Sequence, residues 1–269
     1  RILFLYRLFE RYFMRLPEYV YEVLEKLHNS GYEAYCVGGC VRDYLLGQCP
    51  DDYDITTSAL PEQIIKVFDG YKLLIMGLKH GTVTVIIDKK PVEITTYRVD
   101  GDYKDHRHPS EVRFTPCLEE DLARRDLTIN AMAFSPETDI IDLSGGQEDL
   151  KSGIVRSVGD PMKRFDEDGL RILRALRFAS RYGFNIDKCT SDAVHRLRYL
   201  LSFISAERIN YELCGILTGD CGDILYNYSD VICEIIPEMY PCIGFEQHSK
   251  YHDKTVYCLL YTSPSPRDS

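Results

Sequence analysis

Apolar residues recur at helical spacing from 17 to 30 and the pattern stops near Gly31, so this stretch reads as an amphipathic helix with Pro17 near its first turn. A short apolar run, Ala34 to Val37, follows as a strand, then a Gly-Gly turn and a helix through Leu46. Strand patterns appear again at Tyr53 to Ile55, Lys72 to Ile75, Thr82 to Ile87 and Val92 to Tyr97, with a helix opening at Pro61 between the first two. From about Leu118 the period becomes helical: Glu119 to Ala133, Asp166 to Tyr182, Ser191 to Leu200 and Ala206 to Leu217. The polar segment Asp100 to Ser110 reads as a mobile loop joining the sheet to these helices. The fold class is therefore α+β, a head with a mixed β-sheet and helices followed by an all-α part.

Composition narrows this little. The 269 residues are 45% hydrophobic and 28% charged, the balance of a soluble globular protein with room for one large or two modest domains. No run reaches the ~18 consecutive apolar residues of a membrane span and no signal series opens the chain, which reads as cytoplasmic. None of the ten cysteines forms a Cys-x-x-Cys pair, so they read as reduced thiols. The net charge of −10 hides its distribution: Lys163 to Arg208 holds ten Lys/Arg against six Asp/Glu, and the following segment is acidic. Positive charge gathers in the middle of the chain.

The chemistry concentrates in Gly38-Gly39-Cys40-Val41-Arg42-Asp43 and, after a short loop, Asp52-Tyr53-Asp54. Strand, glycine turn and helix aim backbone N–H groups at an anion, so Gly39 and Arg42 can meet a triphosphate. Side chains at i and i+2 of a strand share a face, so Asp52 and Asp54 can hold the same divalent ions. Each half alone has a plain reading, a turn and a solvated acidic loop.

Together these residues resemble the signature of the tRNA nucleotidyltransferase and bacterial poly(A) polymerase family, through Val-Gly-Gly-x-Val-Arg-Asp-x-Leu-Leu-Gly and Asp-x-Asp-Ile-x-Thr-Ser-Ala. Further motifs follow in the family's order. Val92-Glu93-Ile-Thr-Thr-Tyr-Arg98 implies that Glu93 is the third carboxylate beside Asp52 and Asp54. Asp121-Leu-Ala-Arg-Arg-Asp-Leu-Thr-Ile-Asn-Ala131 implies that Arg125 contacts the nucleotide. Asp126 and Asn130, read as one helical turn apart, either bind the ribose or brace the site.

Asp142-Leu-Ser-Gly-Gly-Gln-Glu-Asp-Leu150 resembles the segment linking head and neck. Glu167-Asp168-Gly-Leu-Arg171, continued by Arg174 and Arg177, resembles the class II neck helix that presents an Asp and an Arg to the incoming base. Read as one continuous helix, it puts Asp168 and Arg171 on neighbouring rows that reach one base edge, with Arg174 and Arg177 bracing the site or meeting phosphate. The plain alternative is a salt-bridged helix face, with Glu167 in the pairs.

The resemblance implies template-independent addition of C and A to the tRNA 3′ end from CTP and ATP, using two Mg²⁺ ions held by Asp52, Asp54 and Glu93. Alternatives are an A-adding enzyme, a bacterial poly(A) polymerase and, in a different class, an inactive RNA-binding fragment. The implied organisation is a head at 14–140, a helical neck and body at 141–240 that binds RNA, and the start of an HD-like domain at 241–257 carrying His252 and Asp253. Residues 1–13 read as upstream read-through. Residues 258–269 resemble one reading frame of a sequencing adapter and are expected to have no regular structure.

Overall fold

The computed structural model describes residues 14–101, 112–248 and 254–262. They divide into two compact units, one ending at Lys151 and the next starting at Ser152.

In the first unit the strands β1 (Ala34–Val37), β2 (Asp54–Thr57), β3 (Lys72–Leu74), β4 (Thr82–Ile87), β5 (Lys90–Thr96), β8 (Met132–Ser135) and β9 (Asp139–Asp142) form one sheet in the order β3-β4-β5-β2-β1-β8-β9. Between them in the chain, β6 (Arg98–Asp100) and β7 (Val112–Phe114) pair as a separate ribbon. Only β2 and β5 run parallel; the other neighbours in the sheet are antiparallel. The helices are α1 (Glu18–Asn29), α2 (Gly39–Leu45), α3 (Pro61–Val67), α4 (Leu118–Ala123) and α5 (Gly146–Ser152).

Alternation in the strands decides what faces where. Val83, Val85 and Ile87 of β4 and Val92, Ile94 and Thr96 of β5 are buried, while Glu93 is exposed on the opposite face. Helices α1 and α3 supply Val20, Val23, Leu24, Leu27 and Ile64 to the core, each such side chain contributing about 1.5–3 kcal/mol on full burial. Tyr35, Val37, Tyr97 and Ala133 form a separate buried cluster with Leu118 and Leu122. This cluster seats α4 beside the end of the sheet that carries the acids.

The second unit is helical: α6 (Pro161–Glu167), α7 (Leu170–Tyr182), α8 (Lys188–Leu197), α9 (Ala206–Leu217), α10 (Gly222–Asn227), α11 (Ser229–Ile235) and α12 (Val256–Thr262), with a two-residue parallel ladder of β10 (Ile154–Val155) and β11 (Asn185–Ile186). Helices α7 and α9 lie so close that a Cβ on Gly219, just past α9, would stand 2.6 Å from the Ser180 carbonyl oxygen. The Ser180 hydroxyl donates to the Ile216 carbonyl at 2.6 Å.

Several expectations change. The helix read over Glu119 to Ala133 ends at Ala123; Thr128–Asn130 is one 3₁₀ turn, and Met132 already belongs to β8. Pairing of Met132 to Ser135 with β9, and of Ala133 and Phe134 with β1, outweighs their weaker helical pattern. The helix read over Asp166 to Tyr182 is two helices broken at Asp168 and Gly169. The absence of regular structure expected from 258 fails over the described part, because α12 runs to Thr262. Its run continues the apolar segment begun at Val256, Cys258 N–H donates to the Thr255 hydroxyl at 3.2 Å, and the buried Tyr257 hydroxyl donates to Leu225 O at 2.7 Å. Residues 1–13, His252, Asp253 and most of the Asp100 to Ser110 loop lie outside the described residues.

Candidate functional site

Parallel pairing of β2 with β5 makes Asp54 and Glu93 register partners, so their side chains leave the same face of the sheet side by side. The row they belong to runs Thr84, Glu93, Asp54, Val37, Ala133 across five strands. Asp52 precedes the strand and is exposed. Asp54 opens to solvent on one side yet is crowded on the others, and its carboxyl is pushed up to about 6. Desolvation is the largest cause, followed by the charges of Asp52 and Glu93, while Arg125 pulls the other way.

The three acids are thus electrostatic neighbours, but they do not close into a cage. No group of three or more His, Cys, Asp or Glu among the described residues is drawn together tightly enough to hold a metal. The expected close convergence of Asp52, Asp54 and Glu93 is corrected to that extent; like charges repel, and only Asp54 and Glu93 are tied by register. The cluster still has the chemistry of a hard-cation site, carboxylate oxygens of Asp52, Asp54 and Glu93 on neighbouring positions.

Facing them is a wall of arginines. Asp54, Glu93, Thr82, Thr95, Arg98, Arg124 and Arg125 line a cavity of ≈ 200 Å³. Asp121, fully buried within the short helix α4, holds the wall in place. One of its oxygens accepts from Arg124 Nε at 3.1 Å and Nη2 at 2.8 Å; the other accepts from Arg125 Nη2 at 3.1 Å. The Arg98 N–H and the Thr56 hydroxyl also donate to it, each at 3.3 Å. Burial alone would raise the Asp121 carboxyl, but Arg124 and Arg125 overcome that and hold it below its usual value.

The glycine turn adjoins this wall. Gly38 has φ +75° and ψ −125°, open to glycine alone, and a Cβ there would lie 3.4 Å from Arg125 Nη1. Gly39 starts α2. Arg42 is buried and does not line the cavity: its Nη1 donates to Asn130 Oδ1 at 2.6 Å and its Nε to Asp43 Oδ1 at 2.8 Å. Asn130 in turn donates to Asp126 Oδ1 at 3.3 Å, which also accepts from the Leu127 N–H at 2.8 Å. Arg42, Asp126 and Asn130 therefore form one buried brace beneath the turn. The helical turn expected between Asp126 and Asn130 is replaced by this direct bond.

In the second unit Glu167 Oε2 accepts from Arg164 and from Arg171, both at 2.7 Å, and Arg171 Nη1 also donates to the Arg164 carbonyl at 3.0 Å. Asp168 sits in the break with extended backbone, one oxygen accepting the Leu170 N–H at 3.0 Å to cap α7 and the other 3.5 Å from Arg208 Nη2. Gly169 beside it lets Leu200 approach closely: a Cβ there would be 3.0 Å from Leu200 Cβ. The helical spacing expected between Asp168 and Arg171 is therefore absent, because Asp168 stands outside α7.

Arg177 donates to buried Glu212 at 2.6 Å, and both Arg174 and Arg177 lie over the Phe178 ring, at 5.7 and 4.3 Å. A larger cavity, ≈ 510 Å³, lies along α7 and α9 with Arg177, Arg181 and exposed Tyr211 in its lining. It has no carboxylate in that lining, unlike the smaller cavity of the first unit, where Asp54 and Glu93 face three arginines.

Sequence reasoning passed over Asp121, Arg98 and Arg124. All three stand in segments whose neighbours were singled out. The available signal was an acid three and four residues before adjacent arginines, an i,i+3 and i,i+4 arrangement that lets one carboxylate serve both.

Residues 34–156 match the family described as the poly A polymerase head domain. The CCA-adding enzyme of Bacillus cytotoxicus is 47% identical over 197 residues, covering 73% of this chain and 49% of that protein. The Bacillus stearothermophilus CCA-adding enzyme, solved in complex with CTP, is similar with TM-score 0.73 at 41% identity, over 81% of this chain and 53% of that one. The Thermotoga maritima CCA-adding enzyme complexed with tRNA-CCA is similar with TM-score 0.72 at 26% identity, over 86% of this chain and 56% of that one. The chain spans about half the length of the curated relatives it matches.

Proposed function

From the chain's membership of the class II CCA-adding enzyme and poly(A) polymerase family, we propose that the protein it belongs to adds C and A to the 3′ end of tRNA, taking CTP and ATP as substrates. The observation that supports this most is the pairing of Asp54 with Glu93 across β2 and β5, opposite Arg98, Arg124 and Arg125 in one cavity. Acids on one wall and guanidinium groups on the other suit a triphosphate that must be bound, aligned and relieved of charge.

Asp52, Asp54 and Glu93 would hold Mg²⁺, which supplies charge neutralisation at the attacking 3′ hydroxyl and at the leaving pyrophosphate. Arg125, resting against Gly38, binds the phosphates or ribose of the incoming nucleotide. The buried brace of Arg42, Asn130 and Asp126 keeps the glycine turn, and with it the Gly39 backbone, in position. In the second unit Asp168 and Arg171 present acceptor and donor to the base edge, with Arg174 and Arg177 beside them. Cytosine offers N4–H₂ beside the N3 acceptor and adenine N6–H₂ beside N1, where uracil and guanine present a carbonyl beside a ring N–H. Glu167 acts by aiming Arg171. The basic helical segment after Arg164 takes the tRNA, with affinity falling as salt rises. No helix among the described residues is long and apolar enough to cross a membrane, and the reading places the protein in the cytoplasm with tRNA.

The deciding experiment gives the full-length protein a tRNA lacking its last three nucleotides. Incorporation of CMP twice and AMP once supports CCA addition. AMP alone on a tRNA ending in CC indicates the A-adding alternative, long A tails the poly(A) polymerase, and no transfer an inactive RNA-binding protein.

A further inference from the structure

We infer that Asp121 is the positioning residue of this site: a single buried carboxylate that sets the direction of Arg125, and so governs how tightly the nucleotide is held without touching it. The inference rests on the nucleotidyl-transfer reading above.

Asp121 is 0% exposed, so no solute reaches it, and its partners converge from three places in the chain. Thr56 donates from β2, two residues beyond Asp54 and on the same face. The Arg98 N–H donates from the start of β6, and Arg124 and Arg125 donate from the segment after α4. The carboxylate therefore ties the strand that carries the acid to the arginines that face it, and it fixes the spacing between the two walls of the cavity.

How the donors are divided decides which arginine is left to work. Arg124 gives Nε and Nη2 to Asp121 and its Nη1 lies 3.4 Å from Asp100, so its guanidinium is enclosed by acids. Arg125 gives Asp121 only Nη2, at 3.1 Å, while its Nη1 lies beside Gly38 at the glycine turn. Arg124 thus locks the carboxylate's orientation and Arg125 is aimed by it. A neutral amide at position 121 would accept from one arginine and set its own N–H₂ against the other, freeing Arg125 to rotate away from the turn. The carboxylates of Asp54 and Glu93 would stay in place, since the strand register holds them. The effect belongs to nucleotide binding, and the chemical step is left to the acids.

The test compares full-length wild type with Asp121→Asn in steady-state CMP and AMP incorporation, alongside thermal melting. The expected result is a KM for CTP and ATP raised by at least about tenfold with kcat changed less than about threefold. In the Arg125→Ala background the same substitution should add nothing further, because its target is gone. An unchanged KM in a folded Asp121→Asn protein, a loss confined to kcat, or effects of the two substitutions that multiply would each overturn the inference. If Asp121→Asn does not fold, Asp121→Glu keeps the charge and moves the acceptor outward by one methylene. A KM raised by about threefold or more is then expected, and an unchanged KM again overturns it. Failure of the function itself reads differently: wild type would transfer no nucleotide to tRNA.

Discussion

In the first unit one buried acid, Asp121, serves Arg124 and Arg125 together and leaves both lining a cavity. In the second unit Glu167 is likewise shared, by Arg164 and Arg171, while buried Glu212 accepts from Arg177. Glu212 is spent on the contact between α7 and α9, whereas Asp121 holds two arginines against a cavity that also carries acids. The backbones differ in the same sense. Asp54 and Glu93 of the first unit sit on paired strands whose register cannot slip by one residue without turning the core face outward. The second unit's key acid, Asp168, sits with extended backbone in a break between helices, next to a glycine packed against Leu200.

Substitutions of the acids should break this comparison open most widely. Asp54→Asn or Glu93→Gln should cut incorporation of CMP and AMP by about 10³-fold or more while leaving the fold intact, since both residues are exposed and the register needs no charge. Glu167→Gln should cost far less, about tenfold, because an amide oxygen still accepts from Arg171. Comparable losses from the two would mean that the second unit carries as much of the chemistry as the first.

Removing a dedicated partner should instead be felt in stability. Glu212→Ala leaves Arg177 without its 2.6 Å acceptor in a close-packed contact between α7 and α9, and should cost about 3 kcal/mol in chemical denaturation. Glu212→Gln, which keeps an acceptor, should recover much of that. If both variants are as stable as the parent, the pair is incidental to the packing.

Glycine positions give a smaller contrast. Gly38→Ala puts a side chain at φ +75° and ψ −125°, at a cost of about 1–3 kcal/mol, and presses it toward Arg125, so nucleotide affinity should fall with stability. Gly169→Ala meets Leu200 at 3.0 Å and should cost about 1 kcal/mol by overpacking. Equal affinity for CTP in wild type and Gly38→Ala would detach the turn from the nucleotide.

The same contrast explains what could be read before the structure. β4 at Thr82–Ile87 and α9 at Ala206–Leu217 follow the expected bounds because each carries a clean period, two in the strand and near 3.6 in the helix. The motif around Asp52 and Asp54 was legible because its spacing is local, and Glu93 came only through the family resemblance. The parallel pairing that sets Glu93 beside Asp54 joins residues far apart in sequence and leaves no local trace. Asp121 was hidden for another reason: its partners Thr56 and Arg98 meet it only through tertiary folding. The break at Asp168 was missed because the apolar period of α7 extends back through Phe165, and the contact with Leu200 that favours glycine is not visible along the chain.

The smallest effect, and the one most specific to the first unit, is on pH. Asp54 has its carboxyl raised from the ordinary 3.8 to about 6, so between these values the folded protein binds more protons than the unfolded chain. Stability contributed by this group is therefore fully present below pH 4 and is lost as pH rises through 6. Asp121 has the opposite sign: its carboxyl is lowered, so its contribution is present above pH 4 and is lost as pH falls through its folded value. Melting in the presence of a chelator, from pH 4 to 7, should show Asp54→Asn gaining on wild type up to about pH 6 and holding level above it, because the amide has no proton to lose. Divalent-ion binding by wild type should strengthen over the same interval, since a metal competes with the proton for the same oxygens. A stability difference that stays constant from pH 4 to 7 would show that Asp54 is neither desolvated nor crowded by Asp52 and Glu93 in solution, and the row of acids across β2 and β5 would then be looser than its register implies.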